Sequence, residues 1–148
     1  MIVVHLAGFA DSGKTTLACR VLQAAAAEGH LVAYVKHHHD RLERPGSDTA
    51  QAQAAGAALC VLAGTDGTLW LDRPHALAEL LVAAKAQGST LAVVEGFKGA
   101  PGAKCWLRRS SEDAPPPEVA DVALDLAPDE AQGLEDTEIL RRLPAYEV

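Results

Sequence analysis

Gly8-Phe9-Ala10-Asp11-Ser12-Gly13-Lys14-Thr15 spell glycine, four residues, then Gly-Lys-Thr. This is the spacing of a phosphate-binding loop. Small residues let the backbone curl and aim successive N–H groups at one anion, and the amino end of the following helix adds partial positive charge. In that chemistry Lys14 reaches the β- and γ-phosphates of a nucleoside triphosphate, and the Thr15 hydroxyl ligates Mg²⁺. Asp11 is unusual beside a polyanion. It reads either as a contact to a substrate or partner subunit, or as a cap of the turn.

Two further segments carry chemistry. Lys36-His37-His38-His39-Asp40 holds three consecutive histidines. They suit metal capture, contact with a phosphate or substrate, or a solvated loop, and spacing leaves all three open. Asp40 is placed to hold Mg²⁺ directly or through water, or to cap a turn. In Val93-Val94-Glu95-Gly96-Phe97-Lys98 a lone carboxylate ends an apolar run. Burying it without a partner is costly. Beside a phosphate loop, the partner it implies is Mg²⁺ or the water that attacks the γ-phosphate. The bland alternative is an ion pair with Lys98 or another base; Lys98 itself either binds phosphate or is merely solvated. Asp48 reads as a helix start more readily than as a metal ligand. Trp70 and Trp106 read as packing residues, and His5 as a satisfied core histidine.

The elements that must position these residues alternate along the chain. Strands are predicted at 2–7, 31–36, 59–63, 68–71, 90–95, 104–108 and 119–126. Helices are predicted at 14–28, stopping near Gly29; from Ser47 or Asp48 to about Gly56; from Pro74 through Ala84; and from Asp136 through Leu143. Strands separated by helices indicate βαβ units and a mainly parallel sheet. Continuous apolar strands require helices on both faces, so the expected fold is a single three-layer α/β domain, residues 1–148, of the P-loop nucleotide-binding kind. Ligands of such sheets bind beyond the carboxyl ends of the strands. The phosphate loop, Lys36–Asp40 and Glu95–Lys98 all follow predicted strand ends and are expected to converge.

The chain has 148 residues, a hydrophobic fraction of 49% and a net charge of −7. That length and hydrophobicity suit a folded domain, not a disordered chain. The negative charge argues against a nucleic-acid or anionic-membrane surface. Cys19, Cys60 and Cys105 form no C-x-x-C pair and read as free, buried residues in a reducing compartment. No apolar run approaches a membrane span, and the amino end leads straight into a strand, so a cytoplasmic protein is expected. No Asn-Lys-x-Asp tetrapeptide is present, so spacing alone leaves GTP against ATP open.

The combination of motifs resembles the MobB family, adaptors of molybdopterin-guanine dinucleotide biosynthesis. The matching residues are Gly8 to Thr16, Val35 to Asp40, Pro45-Gly46-Ser47-Asp48-Thr49, Ala55-Gly56-Ala57 and Val94 to Lys98, with Lys104 and Arg108 behind them. They span about the first three quarters of the chain, and 136–143 looks like the family's final helix. The last quarter departs from the pattern in being short and proline-interrupted.

The resemblance implies a P-loop fold of the signal-recognition and MinD-like class. It implies GTP binding with Mg²⁺, weak GTP hydrolysis, a homodimer, and a role beside the MobA nucleotidyltransferase, with molybdopterin as a bound substrate. By position, Gly8, Asp11, Ser12, Gly13, Lys14, Thr15 and Thr16 surround the GTP phosphates and Mg²⁺. Asp40 and Glu95 are implied as magnesium or water ligands, and His37, His38, His39, Asp48 and Lys98 as the lining of a shared pocket. Lys14 and Glu95 are implied to support turnover. The histidine run keeps a nickel-type metallochaperone GTPase as an alternative, and a small-molecule P-loop kinase or ligase is another.

Overall fold

Continuous apolar strands demand cover on both faces, and the sheet of the computed structural model has it. The structure describes residues 1–42 and 44–148. In chain order the elements are β1 (Ile2–Gly8), α1 (Lys14–Ala27), β2 (Val32–Lys36), α2 (Asp48–Ala54), β3 (Cys60–Ala63), β4 (Thr68–Leu71), α3 (Leu77–Ala86), β5 (Leu91–Glu95), β6 (Lys104–Leu107), β7 (Val122–Leu126), α4 (Pro128–Gly133), α5 (Ile139–Arg142) and β8 (Ala145–Glu147). They fall into two compact units, residues 1–37 with 77–148, and residues 38–76. No helix among the described residues is long and apolar enough to cross a membrane.

The first unit is built on a sheet of order β2-β5-β1-β6-β7, whose neighbours are all parallel. Side chains alternate across it, as the period of two requires. Val4 and Leu6 face Leu17, Ala18 and Val21 of α1, with Ile139 and Leu143 in the same buried cluster. Val3 faces Leu77 and Leu81 of α3, together with Ala92 and Val94 of β5. Every residue of β5 is buried. Helices on both faces therefore make the expected three-layer arrangement in this unit. Because the five strands run parallel, Gly8, Lys36, Glu95, Leu107 and Leu126 end on one edge. That edge is where the chemistry collects.

Two elements were not expected. β8 pairs antiparallel with the first half of β1, through Ile2 to Val4, while β6 pairs with its second half, Leu6 to Gly8. α4 follows β7, with Pro128 in its first turn and the Glu130 carboxylate accepting the Ala127 N–H at 2.8 Å. Other boundaries move. Helix α3 starts at Leu77, three residues after Pro74. β7 starts at Val122, because Val119 is spent in a small cluster with Trp106 and Ala7. Asp136 does not cap the last helix. It accepts a 2.7 Å hydrogen bond from Arg20 Nε, and Glu138 holds the cap position.

The second unit holds α2 and an antiparallel hairpin. Ser47 caps α2 by accepting the Ala50 N–H at 3.1 Å. β3 and β4 pair only with each other, Val61 opposite Trp70 and Leu62 opposite Leu69. The two predicted strands exist, but they form a separate sheet instead of extending the parallel one.

Candidate phosphate-binding site

The phosphate loop leaves β1 at Gly8 and enters α1 at Lys14. It closes tightly. A Cβ on Gly8 would lie 2.5 Å from the Leu107 carbonyl and 2.5 Å from Ser12 Oγ, so only glycine fits. Asp11 adopts a left-handed backbone, φ 58°, which aspartate tolerates better than most residues. The cap position of α1 is Gly13, also left-handed, and no side chain caps the helix. No acidic residue occupies its first turn. Its N–H groups and dipole are therefore offered to an anion rather than spent internally. Lys14 folds back over the loop, its ammonium donating to the Phe9 carbonyl and, at 3.3 Å, to Ser12 Oγ.

On the β5–β2 side of β1, four side chains join. Thr15 Oγ1 donates to Glu95, 3.1 and 3.0 Å from its two oxygens. Tyr34 donates its phenol to Glu95 Oε2 at 2.5 Å, and Lys36 Nζ lies 3.1 Å from Oε1. Lys36 also donates to Thr15 Oγ1 at 3.3 Å. Burial pushes the Glu95 carboxyl up, but the phenol, the ammonium and the hydroxyl together hold it below its ordinary range. It is therefore an anion at neutral pH. The Tyr34 phenol is raised by burial and by the carboxylate it faces. The Lys14 ammonium is lowered, first by burial and then by Lys98 and Lys36, with Glu95 opposing. Three lysines thus crowd one edge of a chain whose net charge is −7. Concentrated positive charge at an uncapped helix is the electrostatic form of a polyphosphate site.

The Glu95 carboxylate and Thr15 hydroxyl are hard oxygen donors side by side at that site, as Mg²⁺ requires. His37 belongs to the same unit: its backbone N–H donates to the Glu95 carbonyl at 2.9 Å, and its ring stacks on Phe97 at 4.8 Å. Gly96 turns between them at φ 90°, where a Cβ would come within 3.0 Å of His37 Cβ. Lys98 rests over Phe9 at 4.9 Å and Trp106 at 5.6 Å, so the base that pairs with Glu95 is not Lys98. Lys36 fills that role instead.

His38, His39, Asp40 and Asp48 belong to the second unit. There the Asp40 N–H donates to His38 Nδ1 at 3.1 Å, and Asp48 sits in the first turn of α2. No three His, Cys, Asp or Glu side chains gather as a metal cluster among the described residues.

On the β6–β7 side of β1 lies a cavity of about 310 Å³. It runs from Ser12 and Gly13 along Thr16 and Arg20 of α1, and is walled by Arg108, Arg109 and Gln132. Composition gave no sign of it, because its far wall is α4, which was not expected. Tyr34 was also missed, although it and Lys36 share a face of β2 by strand alternation, and that spacing is a usable signal.

Several single-residue readings are corrected. His5 is fully buried and only half satisfied: Nε2 meets the Gly96 carbonyl at 2.7 Å, while Nδ1 has no partner among the described residues. Cys19 is exposed; Cys60 and Cys105 are buried, and all three are free. Trp106 is packed and donates to the Asp113 carbonyl at 3.0 Å, but Trp70 is 62% exposed.

Comparison with known proteins places the chain beside a known family and fold. The family model "Molybdopterin guanine dinucleotide synthesis protein B" matches residues 3–125. A probable molybdopterin-guanine dinucleotide biosynthesis adapter protein of Bacillus subtilis (strain 168) is 34% identical over 117 residues, 75% of this chain and 67% of that protein. The molybdopterin-guanine dinucleotide biosynthesis adapter protein of Escherichia coli (strain K12) is 32% identical over 124 residues, 79% of this chain and 71% of that protein. The crystal structure of Bacillus subtilis MobB superposes with a TM-score of 0.64 at 23% identity, covering 97% of this chain and 98% of that one, which speaks for the fold alone.

Proposed function

The chain belongs to the molybdopterin guanine dinucleotide synthesis protein B family, and from that footing we propose that it is a GTP-binding adaptor of molybdenum-cofactor biosynthesis that assists a MobA-type nucleotidyltransferase. The observation that carries this reading is the uncapped amino end of α1, with Lys14 above it and the Thr15–Glu95 pair beside it. GTP phosphates lie on Gly8 to Thr16 in this reading. Thr15 and Glu95 hold the magnesium ion, which supplies charge neutralisation of the phosphates when bound. Lys14 neutralises the γ-phosphate, and Glu95, kept ionised by Tyr34 and Lys36, orients water.

Among the described residues no arginine side chain is bonded to Glu95 or Thr15, which supports slow turnover without a partner. Lys98 and His37, at the same edge, are the groups proposed to meet the phosphate-bearing molybdopterin. The exposed apolar hairpin β3–β4 supports a homodimer. Its two outer edges are unpaired among the described residues, and Leu69 and Trp70 stand in solvent, 51% and 62% exposed.

The test is reconstitution: purified protein, nucleotidyltransferase, molybdopterin cofactor and Mg·GTP, with guanine dinucleotide product measured by chromatography. Product formation faster with this protein than without it, and no gain from Lys14→Ala, is the expected result. Equal rates with and without the protein would remove the adaptor reading.

A further inference from the structure

A phosphate tail fixed on Gly8 to Thr15 has a cavity beside it into which the rest of a nucleotide can extend. The metal side of β1 is filled by Tyr34, Lys36 and Glu95. The cavity of about 310 Å³ on the other side opens directly from Ser12 and Gly13. Its volume is at the lower end for small-molecule pockets and suits a base with its ribose.

Past the phosphate loop and Thr16, the polar side chains that line it are Arg20, Arg108, Arg109 and Gln132. Three are guanidinium donors, and the fourth is a carboxamide. Four carboxylates on the neighbouring segments are already engaged. Asp125 holds Arg108 at 2.8 and 2.5 Å, and Asp113 holds Arg109 at 2.8 and 3.1 Å. Asp136 accepts from Arg20 at 2.7 Å, and Glu130 accepts from the Ala127 N–H at 2.8 Å. Among the described residues Asp11 is the one carboxylate that lines the cavity, and it belongs to the phosphate loop. Gln132 has no hydrogen-bond partner among the described residues.

We propose that the base of the bound nucleotide lies in this cavity and is read at its 6-keto edge by N–H donors, with Gln132 the reading residue, and not at its 1- and 2-positions by a carboxylate. The proposal rests on the nucleotide reading above. Its consequence is specific. The 6-oxygen of guanine and hypoxanthine accepts from donors where adenine presents an amino group, while N7 accepts in all three. In this placement Asp11 stays at the phosphate end of the cavity, and the 2-amino group of guanine is not held by it. Inosine triphosphate is therefore as good a ligand as GTP, and ATP is worse than both.

The experiment is calorimetric titration of Mg²⁺ complexes of GTP, ITP, ATP and inorganic tripolyphosphate into wild type and Gln132→Ala. GTP and ITP are expected to bind within about two-fold of each other, since no charged hydrogen bond distinguishes them. Gln132→Ala is expected to weaken both by about three- to ten-fold, the size of one neutral hydrogen bond, and to leave tripolyphosphate unchanged. ITP weaker than GTP by more than about ten-fold would show a charged acceptor at the 2-position and overturn the proposal. So would unchanged GTP affinity in Gln132→Ala. Tripolyphosphate binding with either of those results would leave the phosphate site standing. Failure of all four ligands to bind would remove the nucleotide reading itself.

Discussion

Strand β5 and the hairpin β3–β4 are made of the same kind of residue and live in opposite surroundings. Leu91-Ala92-Val93-Val94-Glu95 is buried at every position. Cys60-Val61-Leu62-Ala63 and Thr68-Leu69-Trp70-Leu71 leave most of theirs in solvent. The first set is completed within the chain, by strands on both edges and helices on both faces. The second pairs only with itself, and a two-stranded ribbon is marginal without further cover. Apolar strands thus end in two settings here: one holds the carboxylate of the site in place, and the other stands exposed on the face proposed above for dimer formation.

The largest expected effect comes from breaking the first set. Val93 is fully buried between β1 and β2. Val93→Asp leaves an unpaired charge in the core, at a cost of about 3–5 kcal/mol, comparable with the whole stability of a small domain. Circular dichroism should show loss of cooperative thermal unfolding. A folded Val93→Asp protein would mean that β5 is not the core strand.

The same operation on the hairpin should act on assembly instead. Trp70→Ser is expected to weaken self-association by about thirty-fold, the size of a lost aromatic anchor, with the thermal transition of the first unit kept. Sedimentation equilibrium reads this directly. An unchanged association constant would separate the hairpin from dimer formation.

A smaller effect sits behind β5. Burial lowers the His5 pKa, with the Gly96 carbonyl opposing and Lys104 assisting. The folded protein therefore takes up the proton at lower pH than the unfolded chain. Stability is fully present above about pH 6.5 and falls as pH drops below it toward the folded pKa. His5→Gln keeps an N–H donor for Gly96 and removes the titration. Its melting temperature should change less than that of the wild type between about pH 7.5 and 5.5. Parallel pH profiles for the two proteins would show that His5 carries no such charge cost.

The parallel sheet and the phosphate loop were legible because both are local patterns. Gly8 to Thr15 is contiguous, and the all-apolar run before Glu95 implies a strand buried on both faces. The Glu95 cluster was half legible. Thr15 and Glu95 followed from the motif, but Lys36 as the ion partner and Tyr34 as the phenol donor depend on which strand neighbours β5. Pairing order is a tertiary outcome that no local pattern encodes. The hairpin was seen as two strands, yet nothing in Val61 or Trp70 says that they leave the main sheet. β8 is three residues long, too short for its alternation to register. α4 carried a signal, Pro128 followed by Asp129 and Glu130, within a stretch to which no element was assigned.

Calorimetric titration of Mg·GTP into wild type and Lys14→Ala tests the central claim most directly. The account predicts measurable binding by the wild type, tighter for GTP than for ATP, and a loss of about 2–4 kcal/mol in the variant as charged phosphate contacts disappear. Equal GTP affinity in the two proteins would contradict it.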